Sequence, residues 1–270
     1  MTKLPSGCTE GLNINDIFDV HNPVLASGGT GALSRFSRRN PILYRAGGSE
    51  GSGVGAKLAF LDDKITLSGL YLTEGGESND PSDEEGIFDG SFTAGGQVVL
   101  EPFDALSVGL VYLRSFQTEN DVNLTGSTGS ELAEEPFGDV DTSADKFGLS
   151  AALEVGKLAF TVNGAVSLAD ELGTDNSATL YTAFGSVSFL DLVKEGSALS
   201  VGGGVVPTVV ENDNALGEDD DTPFIIEALY KFPLNDNIVI TPGAYVLFNP
   251  DGDSDNDEVY IAVLRTTFKF

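Results

Sequence analysis

Read with a period of two, the last twelve residues separate into two sets. Tyr260, Ala262, Leu264, Thr266, Phe268 and Phe270 fall on one face; Val259, Ile261, Val263, Arg265, Thr267 and Lys269 fall on the other. The same alternation sets Leu158, Phe160, Val162, Val166 and Leu168 against Ala159, Thr161, Asn163, Ala165 and Ser167. It also sets Phe224, Ile226, Ala228, Tyr230 and Phe232 against Ile225, Glu227, Leu229 and Lys231. Extended over the chain, the pattern predicts strands at about 51–60, 64–73, 91–101, 105–116, 145–155, 157–168, 178–190, 197–210, 222–233, 237–249 and 258–270, with a twelfth at 40–47. Short connections alternate with long ones, so the strands pair as antiparallel hairpins. A strand face that carries Glu227, Lys231, Arg265 and Lys269 suits a wet lumen better than a packed sandwich core. The expected class is therefore all-β: an antiparallel transmembrane β-barrel with about 11–12 strands in this chain.

Composition does not oppose this reading. The chain has 270 residues, 41% of them hydrophobic, and a mean hydropathy of +0.02, without any apolar run long enough for a membrane helix. Barrel strands escape that test because only every second residue meets lipid. The net charge of −28 is unevenly placed: 29 of the 42 acids lie in the long connections 74–89, 117–145, 169–177, 211–221 and 250–258, which contain no Lys or Arg. With the long loops assigned outside, one rim is strongly acidic and attracts cations; a solvated surface that only maintains solubility is the plainer account of the same residues. Aromatics near the short turns (Phe60, Phe103, Phe189, Phe232, Phe270) and near the long loops (Tyr71, Tyr112, Phe116, Phe248, Tyr260) are placed as two interface girdles. So acidic a chain has no use for nucleic acid as a partner.

Little in the chain points to catalysis. His21 is the only histidine and Cys8 the only cysteine, which excludes paired-histidine zinc sites, Ser-His-Asp triads and an internal disulfide. Gly51-Ser52-Gly53-Val54-Gly55-Ala56 matches a dinucleotide-binding string but opens an alternating strand rather than a helix. No cofactor is implied. Asp251, Asp253, Asp255 and Asp257 place carboxylates at every second position, a weak candidate for Ca²⁺ without the glycine and distal Glu of an EF-hand.

The N-terminal part, residues 1–50, reads as irregular. Its first ten residues show no basic-then-apolar leader, and the chain is expected to begin partway through a longer exported protein. Within it, 34–45 holds Arg35, Arg38, Arg39 and Arg45, four of the fourteen basic residues. An exposed loop with weak surface pairs is one reading. The other is a segment folded into the lumen, with the arginines facing acids such as Glu101 or Glu227.

The runs PVLASGGTGALSRFSRRNPILYR, LAFLDDKITLSGLYL and VYIAVLRTTFKF resemble the C-terminal barrel portion of the OprB-type carbohydrate-selective porins of cyanobacteria, also described as iron-uptake porins. The resemblance covers about 12–270. It implies location in the bacterial outer membrane, lipid against the outer wall, and passive diffusion of small hydrophilic solutes, either carbohydrates or iron and other inorganic ions. It leaves open whether copies form a homo-oligomer. Family members usually carry a signal peptide, a surface-layer-homology domain, a coiled-coil linker and further strands ahead of this point. The expected pore-lining set is Arg35, Arg38, Arg39, Arg45, Glu101, Thr161, Asn163, Glu227, Lys231, Arg265 and Lys269, on a barrel portion 51–270 with long acidic external loops. The rival reading is a soluble, acidic, calcium-dependent β-rich adhesin or surface protein.

Overall fold

The computed structural model describes residues 11–74, 86, 90–119 and 121–269. Cys8, Phe270 and most of the 74–90 connection lie outside the described residues. The strands are β1 (Leu12–Asn13), β2 (Glu50–Phe60), β3 (Ile65–Glu74), β4 (Phe92–Phe103), β5 (Leu106–Gln117), β6 (Thr142–Val155), β7 (Leu158–Glu171), β8 (Ser177–Leu190), β9 (Ala198–Asn212), β10 (Phe224–Asn235), β11 (Ile238–Phe248) and β12 (Val259–Phe268). All eleven long strands occur where the alternation places them.

The twelfth strand does not. Residues 40–47 contain a short helix, Pro41–Tyr44, whose cap Asn40 accepts the Leu43 N–H through its side chain. Pro41 at the first helical position has no N–H to give a ladder and a φ suited to a helix start. The remaining strand is instead the two-residue β1, followed by helix α1 (Ile14–Ile17). Here Asn13 caps the Asn15 N–H while Asp16 takes the Asn13 N–H, a reciprocal capping box. The helix at Pro41–Tyr44 is α2, and α3 (Glu131–Glu134) lies in the long β5–β6 connection.

Each strand pairs antiparallel with its sequence neighbours, in the order β1 to β12, and no pairing joins the two ends among the described residues. The sheet nevertheless curls. Asp19 holds Lys57 on β2, and the carbonyls of Gly28 and Ala32 hold Arg265 on β12. Nine residues of fully extended chain cover about 30 Å, and this stretch is folded into turns. In a flat sheet, ten strand spacings would put β2 and β12 about 48 Å apart.

The distribution of side chains is inverted relative to a soluble domain. Val162, Leu168, Leu149 and Leu264 on the convex face are 54%, 45%, 51% and 72% exposed, whereas Thr161, Ser167 and Gln97 on the concave face are buried. Leu264 is among the most exposed because β12 pairs with β11 alone among the described residues. At the long-loop ends the aromatic girdle is continuous in places: Tyr71 stacks on Phe92, which meets Phe116, and Phe224 stacks on Phe248 at 4.5 Å. The apolar core lies inside the curl. There Ile14, Ile17, Phe18, Ile42 and Leu43 pack with Leu72, Leu113 and Leu180, and Leu25 and Phe36 pack with Phe184, Ile225 and Leu229.

Residues 121–141 of the long 117–145 connection, expected outside, fold back over the concave side. Val122, Leu124 and Ala133 join the core, and the Asn123 carbonyl accepts the Gly47 N–H at 2.7 Å. Apolar residues spaced among its acids make this possible.

Candidate functional site

Residues 14–49 run along the concave wall, and the wall is shaped to receive them. A Cβ added to Gly55 of β2 would lie 2.5 Å from Ile17 Cγ1, and one added to Gly243 of β11 would lie 2.8 Å from Leu33 Cδ1. Gly109 of β5 gives the same space to the His21 ring, and Gly148 of β6 to Leu43. Four strand glycines are thus sockets for four side chains of the segment, and Phe36 adds an edge-on contact with Phe184, 5.6 Å between centroids. Gly55 belongs to the string that resembles a nucleotide motif; its role here is steric.

Polar bonds fix the same path. Asp19 takes Lys57 Nζ on both carboxylate oxygens, at 2.7 and 2.8 Å, and Gln97 bonds the Asp19 backbone on both sides. His21 Nδ1 lies 2.7 Å from Ser150 Oγ. Burial pushes the His21 ionisation down; Asp19 and Glu101 raise it less, and Lys57 adds to the depression. Tyr44 donates to the Asp19 carbonyl. None of Asp19, His21, Lys57 or Gln97 was expected at the site. Each partner is distant in sequence, and only the inward phase of Lys57 and Gln97 on their strands could have marked them.

The expected pore-lining residues divide into three groups. Glu227 is buried on β10 and accepts the backbone N–H groups of Leu33, at 2.6 Å, and Ser34, at 3.1 Å. Arg265 donates to the Gly28, Gly31 and Ala32 carbonyls, and Arg38 donates to the Ala32 and Leu33 carbonyls. Asn163 accepts from Asn40 Nδ2 at 3.2 Å. Glu227, Arg265 and Asn163 hold the segment from the wall, while Arg38, on the segment, ties its own turn. Thr161, Lys231 and Lys269 share the inward phase without a side-chain hydrogen bond or ion pair to the segment among the described residues: Thr161 is buried, Lys231 half-buried and Lys269 exposed. Arg35, Arg39 and Arg45 are on the segment, and their side chains make no hydrogen bond or ion pair among the described residues; Arg35 is exposed, the other two half-buried.

Two expectations are corrected. The arginines do not pair with Glu101 or Glu227: the only ion pairs among the described residues are Lys57–Asp19 and Arg114–Asp145. Glu227 is taken by backbone donors, and Glu101 lines a separate cavity of about 270 Å³ near the short-turn end, with Asp19, His21, Asp104 and Glu154. Nor does the structure bring Asp251, Asp253, Asp255 and Asp257 together, and no group of three metal-ligating side chains is placed to hold an ion among the described residues. Asp251 accepts the Glu131 N–H and Asp253 the Asp255 N–H, so these two carboxylates shape their loops.

Comparison with known proteins places this geometry. The uncharacterized protein sll0772 of Synechocystis sp. (strain ATCC 27184 / PCC 6803 / Kazusa) is 30% identical over 97% of this chain and 50% of its own length. The uncharacterized protein alr4550 of Nostoc sp. (strain PCC 7120 / SAG 25.82 / UTEX 2576) is 31% identical over 93% of this chain and 45% of its own. The chain thus spans about half the length of these relatives. Among solved structures it is similar in fold to OmpT of Vibrio cholerae in its trimer form, with a TM-score of 0.59 at 14% identity over 95% of this chain and 73% of that one. It is also similar to an anion-selective porin from Comamonas acidovorans, with a TM-score of 0.53 at 10% identity over 86% and 60%. The sequence pattern of the carbohydrate-selective porins matches residues 16–270. An inverted antiparallel wall, a segment seated in its hollow and that match together assign the chain to the OprB family of carbohydrate-selective porins, proteins of the bacterial outer membrane.

Proposed function

We propose that this chain supplies wall and constriction to a water-filled outer-membrane pore through which small hydrophilic solutes diffuse passively. The observation that carries the reading is the polar concave face with a fixed segment across it, enclosed by a convex face of large exposed apolar side chains. Residues 51–270 form the wall, and the segment that precedes them, with Arg35, Arg38, Arg39 and Arg45 on 34–45, narrows the lumen. Thr161, Asn163, Glu227, Lys231, Arg265 and Lys269 face inward, where they line the path or hold the segment beside it, and Glu101 stands near the short-turn mouth. The acidic connections 169–177, 211–221 and 250–258 border the outer vestibule, and residues 121–141 fold back over the lumen beneath them. The pore performs no reaction, and its solutes are carbohydrates or inorganic ions, iron among them. The trimer form of OmpT makes a homo-oligomer part of the reading.

A soluble adhesin would leave Val162, Tyr260 and Leu264 in water, so the wall favours the pore. Reconstitution into planar bilayers of the protein extracted from outer membranes tests it. Discrete, voltage-tolerant conductance steps are expected. A protein that stays monodisperse without detergent and adds no conductance would refute it.

A further inference from the structure

At the short-turn end, Glu101 of β4 and Glu154 of β6 share the inward phase and border the cavity of about 270 Å³. The Glu154 N–H bonds the Ala105 carbonyl at 2.8 Å, which brings this strand against the turn that carries Asp104. The N-terminal segment closes the other side with Asp19, His21 and Asn22. Lys57 neutralises Asp19, whereas the side chains of Glu101, Asp104 and Glu154 make no hydrogen bond or ion pair among the described residues. Three negative charges therefore face one small space. Acids at an exposed mouth are ordinarily solvated and nothing more, but two buried atoms set this cavity apart. His21 is 8% exposed; its Nδ1 lies 2.7 Å from Ser150 Oγ, and its Nε2 is buried without a partner. So is the Oγ of Ser107, which lines the same cavity. A polar atom placed in this way costs stability until something completes it. Burial keeps the ring neutral at pH 7. With Nδ1–H given to Ser150, Nε2 keeps its lone pair and is an acceptor.

We infer that this cavity is a subsite at the inner mouth for a small cation that carries hydrogen-bond donors: a divalent ion inside its water shell, or a primary ammonium. Glu101, Asp104 and Glu154 supply the charge, and His21 Nε2 and Ser107 Oγ accept the donors that such a cation turns toward them. A bare metal ion does not suit the site, because no three of these side chains are placed to coordinate one among the described residues. A hydrated ion does: six waters at about 30 Å³ each take about 180 Å³ of the space of about 270 Å³. The acidic connections at the opposite end attract the same sign of charge, so the subsite is a second stop on one cation path. The inference rests on the porin reading for its place in that path, and it names the solute chemistry the inner mouth prefers.

The only histidine of the chain reports on the cavity directly. The protein, labelled with nitrogen-15 histidine and extracted from outer membranes into detergent, is titrated at fixed pH and salt with Mg²⁺, 1,3-diaminopropane and tetramethylammonium. The ring-nitrogen resonances of His21 are followed, assigned by their loss in H21Q. Mg²⁺ and the diamine are expected to move the Nε2 resonance at concentrations where tetramethylammonium, a cation without donors, leaves it unchanged; the stronger of the two identifies the source, hydrated ion or ammonium. E101Q/D104N/E154Q should raise the half-saturating concentration about tenfold. The single variant E154Q, at an exposed side chain, should raise it in the same direction and keeps the comparison possible if the triple variant does not fold. No movement with any of the three, equal movement with all, or movement unchanged in the amide variants overturns the subsite and leaves the cavity to water. The same preparation in planar bilayers tests the porin reading separately. Current without movement of the resonance removes the subsite alone; movement without current removes the porin reading and leaves a cation site outside any path.

Discussion

The socket at Gly55 gives the sharpest quantitative expectation. A methyl added there meets Ile17 Cγ1 at 2.5 Å, Cδ1 at 2.6 Å and Cγ2 at 3.2 Å, against an ordinary carbon contact of about 3.5–4.0 Å. Ile17 is 2% exposed and packed within the core inside the curl. Overpacking of this kind costs about 1–3 kcal/mol, offset by about 0.5–1 kcal/mol for replacing a strand glycine, so Gly55→Ala should destabilise by about 1–2 kcal/mol. Ile17→Ala removes the knob and should cost about 2–5 kcal/mol through the cavity it leaves. In the double variant the new methyl enters space the isoleucine has vacated, and the cost should fall short of the sum by about 1–2 kcal/mol. The chain has no tryptophan, so unfolding is best followed by far-ultraviolet circular dichroism in detergent under urea. Gly69→Ala is the control, because its added methyl meets nothing closer than 3.7 Å. Costs that add to within about 0.5 kcal/mol would show that the two positions do not share one space, and the socket account would be wrong.

Stability should also depend on pH through His21, whose ring is held below its ordinary pKa of 6.5 chiefly by burial. The unfolded chain then takes up this proton first, so stability is full above the ordinary value and falls as pH drops from there toward the lowered one. Asp19, Glu101, Asp104 and Glu154 face the same cavity, and Lys57 is paired with Asp19 beside it; His21→Gln should flatten the fall in a urea titration at stepped pH. An unchanged slope in that variant would remove His21 from the account. On the convex face, Val162→Arg should cost about 2–4 kcal/mol if mid-strand positions meet lipid, while Lys269→Gln, exposed on the inward phase, should change stability by less than about 0.5 kcal/mol. Folding yield in vesicles measures both, and an arginine tolerated at 162 would mean that the convex face does not contact lipid.

The wall was legible because its signal is local. Alternation at Leu158–Val166 or Phe224–Phe232 declares which side chains turn outward, and the succession of short and long connections declares the hairpins. Pro41 could have been read the same way: a helix start preceded by a capping Asn stood in the chain, and the alternation of its neighbours concealed it. What could not be read is which inward residue meets which part of the segment. Glu227 looks like a lumen charge until Leu33 and Ser34 present their N–H groups to it, and Gly55, Gly109, Gly148 and Gly243 look like weak points until the opposing side chains fill them. Such pairings depend on how far the sheet curls, a property of the whole wall that no window of the sequence contains. The arginines are evident as a cluster in the sequence, but that they make no ion pair among the described residues depends on where the folded wall places its acids.

Arg265 and Thr267 bond the turn at Gly28 to Ala32 across 233 to 238 residues of chain. Contacts of such separation carry a large loop-closure entropy and form late, after the hairpins whose partners are adjacent in sequence. The segment reaches its bed only when β12 has arrived, and β12 finds its inward bonds only when the segment lies in place. Capture of the segment and arrival of the last strand are therefore one cooperative step. An intermediate with a finished wall and an empty hollow would expose the sockets, Glu227 and Arg265 together, with nothing to satisfy them.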